Sequence, residues 1–116
     1  MSRSRNVAPL RSSTRRSAPI FAALGDETRL RLLARLCRDG PQSITRLAAD
    51  SDITRQAITK HLRRMQAAGV LRASKAGRER VWEVDPASLD EAGQYLRAIS
   101  EQWDAALARL ERFVEA

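Results

Sequence analysis

At 116 residues, with one cysteine and a formal net charge of +7 at pH 7, the chain has room for one small domain and excludes an internal disulfide framework. No apolar run approaches the length of a membrane span and no apolar core of a secretory leader is present, so the expectation is a cytoplasmic protein. The charge is segregated: residues 1–16 hold five arginines and no acid, residues 43–82 carry +6, and residues 83–116 carry −5. A basic middle beside an acidic end predicts one face turned toward a polyanion and another turned away from it.

Residues 1–16, MSRSRNVAPLRSSTRR, have no sustained apolar period and are expected to form a disordered basic arm that can touch phosphates or a minor groove. The folded domain is then expected over 17–116. Pro19 to Leu24 reads as a short helix with apolar Ile20, Phe21 and Leu24, closed by Gly25. Asp26 stands where it can cap a second helix, in which Leu30, Leu33, Ala34 and Cys37 share a stripe with Leu32 and Leu36 beside it. On that stripe Cys37 is expected to be a buried, inert thiol rather than a redox switch, despite Arg35 and Arg38 nearby. Gly40-Pro41 ends the helix.

The stretch from Ile44 to Leu71 predicts two helices joined by a tight turn. Ser43 is placed to cap the first, whose apolar Ile44, Leu47 and Ala48 recur at helical spacing, and Asp50-Ser51-Asp52 supplies turn residues before Ile53 returns to the core. Thr54 caps the second. Advancing by about 100° per residue puts Ala57, Ile58, His61, Leu62, Met65 and Ala68 on one face. Arg55, Gln56, Thr59, Lys60 and Arg63 are left on the other or its flanks, all able to donate to base edges or phosphates and none acidic. Gly69 suits the left-handed position that ends a helix. Beyond it Val70, Leu71, Ala73 and Lys75 begin a strand, Ala76 to Glu79 turns, and Arg80 to Val84 alternates as a half-buried strand does. A two-stranded wing is therefore expected after a helix-turn-helix.

After the break at Asp85-Pro86-Ala87, Ser88 to Glu91 has the S-x-x-E pattern of a capping box. Ala92, Leu96, Ile99, Trp103, Ala106, Leu107, Leu110, Phe113 and Val114 then recur at three- and four-residue intervals. They predict one helix of about 28 residues, roughly 40 Å long. So small a domain cannot cover it, and the expected cover is a second copy, with Trp103 and Phe113 as the large contacts. No paired carboxylates lie near a histidine, no Ser/His/Asp context is recognisable and no glycine loop cradles phosphate, so an enzyme is not expected.

Taken together, GDETRLRLLARL, GPQSITRLAADSDITRQAITKHLRRMQAAGVL and GRERVWEV resemble the ArsR/SmtB family of bacterial winged-helix repressors over roughly Pro19 to the C-terminus. The resemblance implies a mainly α winged helix-turn-helix with a small β-hairpin wing, working as a homodimeric repressor on double-stranded DNA with an inverted-repeat operator, and autoregulation is a further expectation. It puts the recognition helix 54–68 and the wing 71–84 on the duplex, with Ser43, Thr54, Arg55, Gln56, Thr59, Lys60, Arg63, Arg78 and Arg80 as the DNA-binding residues. It adds Phe21 of the first helix to a dimer interface of Leu96, Ile99, Trp103, Leu107, Leu110 and Phe113. Family members often bind a metal through cysteines in a stretch like ELCVCDL or through Asp and His of the C-terminal helix. Here that stretch is PQSITRL, with Ser43 and Thr45 in place of thiolates, and the C-terminal helix has no His or Cys. One Cys and one His do not complete a tetrahedral site, so no metal and no cofactor are expected, and the inducer is unknown. His61 is expected to be structural. Two other functions fit the same pattern: a non-specific architectural DNA-binding protein and a winged-helix protein-interaction module.

Overall fold

The computed structural model describes residues 7–115, with side chains from Ser13 onward. In chain order it runs α1 (Val7–Leu24), α2 (Glu27–Asp39), β1 (Gln42–Ser43), α3 (Ile44–Ala49), α4 (Arg55–Ala67), β2 (Leu71–Ala76), β3 (Glu79–Val84) and α5 (Pro86–Glu115). One core joins the elements: Ile20 and Ala23 of α1, Leu32, Leu33 and Leu36 of α2, Leu47 of α3, Ile58, Leu62 and Met65 of α4, Val70, Leu71 and Trp82 of the wing, and Ala92 of α5.

The N-terminal helix corrects one expectation. In place of an arm through residue 16 and a helix from Pro19, α1 is continuous from Val7, and residues 1–6 of the expected arm lie outside the described residues. Its order comes from α5. Ser17, Ile20 and Ala23 recur every third residue and are buried. Thr14 Oγ1 donates to the Tyr95 hydroxyl at 3.2 Å, Arg16 pairs with Glu91, and the Phe21 ring tilts at 53° on that of Tyr95 with centroids 6.1 Å apart. Pro19 contributes no N–H to the helix, a local cost that this packing offsets. A Ser- and Arg-rich stretch carries no period strong enough to announce such a helix.

Asp26 caps α2 as expected, its carboxylate accepting the Arg29 backbone N–H at 3.1 Å. The buried face of α2, however, is Arg29, Leu32, Leu33 and Leu36. Leu30, Ala34 and Cys37 look outward, so the expected buried thiol is an exposed one. Six apolar residues surround this helix on more than one side, and only its packing partners choose among the possible faces.

The wing is a three-stranded sheet in the order β1-β3-β2, where two strands were expected. Gln42 and Ser43 pair with Trp82 and Val81. A two-residue strand has no alternation to detect. The Schellman motif after α4 follows from Gly69, with φ +83: Gly69 N–H reaches Gln66 O and Val70 N–H reaches Met65 O, each at 2.9 Å. Ser88 is not the cap of α5. Asp85 is, accepting the Ala87 N–H at 3.1 Å with Pro86 at the first helical position, where no N–H is needed. The Ser88 hydroxyl instead donates to Gly69 O and ties α5 to the end of α4.

Leu62 is fully buried at the centre of this core. Leu62→Ala should cost about 2–5 kcal/mol, measured from denaturant midpoints at unchanged slope; a loss well under that range would move the core elsewhere.

Candidate nucleic-acid interface

The two helices of the helix-turn-helix are each started by a side-chain cap. Ser43 Oγ accepts the Arg46 N–H at 3.2 Å, and Thr54 Oγ1 accepts the Ala57 N–H at 3.0 Å. Between them Ser51 Oγ accepts the Ile53 N–H at 3.1 Å and turns Ile53 inward. Arg35 of α2 holds the far end of α3: its guanidinium donates to the carbonyls of Leu47 at 3.3 Å and Arg46 at 2.9 Å, where a cation is favoured at a helix C-terminus.

Ile58, Leu62 and Met65 of α4 show no accessible surface, and this fixes the rotation of the helix. Gln56, Lys60 and Arg63 consequently lie on the outward face and are exposed. Arg55 leans to the α3 flank, with Nη1 3.3 Å from Thr45 Oγ1. Thr59 is half-buried and its hydroxyl donates to Arg55 O at 2.9 Å, while the Thr54 hydroxyl already serves the cap. Gln66 marks the wing flank, sharing a shallow basic depression of about 200 Å³ with Ala73, Ser74, Lys75 and Arg80.

The wing tip is a two-residue hairpin turn. Gly77 has φ +67 and Arg78 a negative φ, the pattern of a type II′ turn, whose twist matches that of the strands. Arg78 sits exposed at the tip. Lys75 and Arg80 are directly opposite each other across β2 and β3. Like charges in register repel, and nearby anionic groups relieve that repulsion.

Arginine 29 is the part of this region that the sequence analysis missed. It is 9% exposed, donates through Nε to Ala23 O at the end of α1, and brings Nη1 to 3.2 Å from His61 Nδ1 on α4. A charged residue on an apolar helix gives no sequence signal of burial; its partners are a carbonyl and a ring from two other helices. His61 is therefore hydrogen-bonded and half-buried. Among the described residues no three His, Cys, Asp or Glu side chains cluster as metal ligands would.

Of the nine residues expected on DNA, the structure brings Arg55, Gln56, Thr59, Lys60 and Arg63 together on α4, with Thr54 at its cap and Arg78 and Arg80 on the wing. Ser43 does not belong with them. It is 5% exposed, its hydroxyl caps α3, and its backbone pairs with β3. Arg64 and Lys75, left out of the expected set, are exposed beside it. The cations of α4 and of the wing tip have no acidic partner among the described residues, whereas Arg31, Arg35, Arg38 and Arg72 do.

Residues 24–72 match a family model described as a helix-turn-helix domain. A solved ArsR-like transcriptional regulator from Rhodococcus sp. RHA1 superposes with a TM-score of 0.77 at 37% identity, covering 88% of this chain and 95% of that one. The chain belongs to the ArsR family of transcriptional regulators. This ArsR-family chain is also 36% identical over 69 residues to the HTH-type transcriptional regulator Rv2034 of Mycobacterium tuberculosis, a match spanning 60% of the chain and 64% of that relative. The homodimeric winged helix-turn-helix DNA-binding domain of Mb0332 from Mycobacterium bovis, at 18% identity, shares the fold with a TM-score of 0.59 over 88% of this chain and 90% of that one. The ArsR-family chain is thus a regulator with a DNA-binding fold and not an enzyme. Among the described residues no helix is long and apolar enough to cross a membrane.

The Asp26 carboxyl is held below its ordinary value of 3.8 chiefly by the backbone N–H of Arg29, which outweighs the opposing effect of desolvation, and the Arg29 charge adds a smaller push downward. A lowered folded value stabilises the fold above the unfolded value, and this is lost as pH falls through the folded one. Asn keeps an acceptor for the cap without the charge. The thermal midpoint of the native chain should therefore exceed that of Asp26→Asn at neutral pH, with the gap closing in acid over a scan from about pH 7 to pH 2. A gap independent of pH would reduce Asp26 to an uncharged cap.

Proposed function

We propose that the chain is a homodimeric repressor that seats the two α4 helices in major-groove faces one turn apart on an inverted-repeat operator. The observation that carries this reading is the set of exposed cations without an acidic partner among the described residues, with Gln56 beside them, that α4 and the wing tip turn outward. Gln56 and Lys60 on the outward face are the base-reading candidates, since amide and ammonium groups have defined partners on base edges. Arg55, Arg63, Thr54 and Thr59 position the helix on phosphates, and Arg78 and Arg80 do the same from the wing. The opposed Lys75 and Arg80 support the wing assignment, since a backbone phosphate between them relieves their repulsion.

A second copy is supported by α5. Its 30 residues span about 45 Å, and the molecule measures 65 × 29 × 20 Å with a radius of gyration of 18.6 Å, against about 13 Å for a compact chain of this length. Leu96, Ile99, Trp103, Leu107, Leu110, Phe113 and Val114 are all exposed, Trp103 at 63% and Phe113 at 80%. An apolar stripe this long calls for a cover, and the homodimeric state of the Mb0332 domain supports a self-pairing one. Phe21, packed on Tyr95 of its own α5, joins the interface from α1. A dimer across a promoter represses by occupying it, and the chain's own promoter is the first candidate.

Purified chain should bind the region upstream of its own gene about a thousandfold or more tighter than random duplex at physiological salt. Equal affinity for both would favour an architectural role. Gln56→Ala and Lys60→Ala should each cost roughly 1–3 kcal/mol on the specific site and relax base preference, while Arg78→Ala should weaken all sequences alike and flatten the salt dependence. Unchanged binding in all three would displace the reading face. Trp103→Ala should shift sedimentation from dimer to monomer; an intact dimer would place the interface off α5.

A further inference from the structure

On the flank of α4 away from the wing, an open cavity of about 550 Å³ is lined by Arg29, Ala57, Lys60, His61, Arg63 and Arg64. Its volume lies in the range of small-ligand sites. Its chemistry is one-sided: four cations, an imidazole and a single methyl group, with no carboxylate in the wall. Of the two acids close by in the chain, Asp26 has its carboxylate committed to the cap of α2 and Glu27 pairs with Arg31.

Part of the wall is rigidly built. The guanidinium of Arg29 is buried, held by Ala23 O on one side and directed at His61 Nδ1 on the other. A guanidinium only donates, so Nδ1 accepts and the ring carries its proton on Nε2, making the far edge of the imidazole a donor. Lys60, Arg63 and Arg64 add exposed cationic ends without an acidic partner among the described residues. Cations gathered in this way repel one another, and an anion with several oxygens converts that repulsion into charge-assisted hydrogen bonds. The donors, planar forks beside a point charge, match a phosphate-type oxyanion better than a halide.

We propose that this cavity is a phosphate-type oxyanion site shared by free anions and by a phosphate of the duplex backbone, so that each displaces the other. Lys60 and Arg63 belong both to the cavity and to the outward face of α4, which is why one occupant excludes the other. The displacement rests on the DNA reading above; the binding of a free anion does not. The coupling is reciprocal, and it gives the regulator a route by which a phosphorylated small molecule weakens its hold on DNA without a metal or a thiol.

His61 is the single histidine of the chain, so its ring C–H signals in proton NMR are an unambiguous reporter inside the cavity. Inorganic phosphate is titrated into the full chain at fixed pH, against sodium chloride at equal ionic strength. The expected result is a saturable phosphate-dependent shift absent with chloride, weakened roughly threefold or more by Arg64→Gln and largely kept by Arg64→Lys. Duplex affinity is then measured at a phosphate concentration equal to the fitted dissociation constant, where it should fall beyond the chloride control by about twofold for each cavity the duplex occupies, about fourfold for the dimer. An unmoved His61 signal in the native chain overturns the free-anion site, and a loss of duplex affinity in Arg64→Gln would then leave the duplex backbone as the one source of phosphate. Saturation by phosphate with unchanged duplex affinity overturns the sharing. Phosphate binding without binding to any duplex leaves the anion site standing and overturns the DNA reading instead.

Discussion

The burial of one face of α4 is the constraint on which the rest depends. Ile58, Leu62 and Met65 are removed from solvent entirely, against Leu47 of α3, Leu36 of α2 and Leu71 and Trp82 of the wing. Each such side chain contributes about 1.5–3 kcal/mol of apolar burial, and rotating the helix by one residue would exchange that for exposed leucine and buried arginine. The helix therefore has one affordable rotation. What it shows to a partner follows from what it hides.

The same packing gathers charge. With the apolar face inward, Lys60, Arg63 and Arg64 crowd one side of α4 while Gln66, Lys75 and Arg80 crowd the other, and six of the chain's fourteen acidic residues lie along α5. Folding tolerates this because most of these cations stay solvated, where repulsion is weak. Arg29 is the exception. It is buried, and it is kept by a backbone carbonyl and a ring nitrogen rather than by an acid. In that position it joins the end of α1, the start of α2 and α4.

The long helix raises the opposite issue, apolar surface without a cover. The first turns of α5 are absorbed by α1, through Tyr95, Glu91 and buried Ala92. From Leu96 onward its larger apolar side chains are exposed. Its first ten residues are thus part of the monomer's fold, and the rest of the helix keeps a long apolar stripe on the surface.

Much of this was legible in the residues because it is local. Asp26, Ser43 and Thr54 as caps, Gly69 as the helix stop, the turn at Gly77 and the periods of α4 and α5 depend on neighbours within a turn or two, and short-range hydrogen bonds and the 3.6-residue repeat report them directly. The resemblance in those same segments led to the ArsR family, which the comparison with solved relatives shows. What depended on contacts distant in sequence was not legible. From Thr14 onward α1 is held by α5 packed on it, β1 exists because β3 passes beside it, and Cys37 faces out because the neighbours of α2 selected Leu32, Leu33 and Leu36. Ser43 and Ser88 carry the right chemistry for a DNA contact and a cap, but burial and the Gly69 carbonyl claimed them first. The sequence by itself determined where helices begin, end and alternate in polarity, since those are decided within a few residues. Only the tertiary structure decided which faces are hidden, because burial is a property of pairs of elements and no single element contains it.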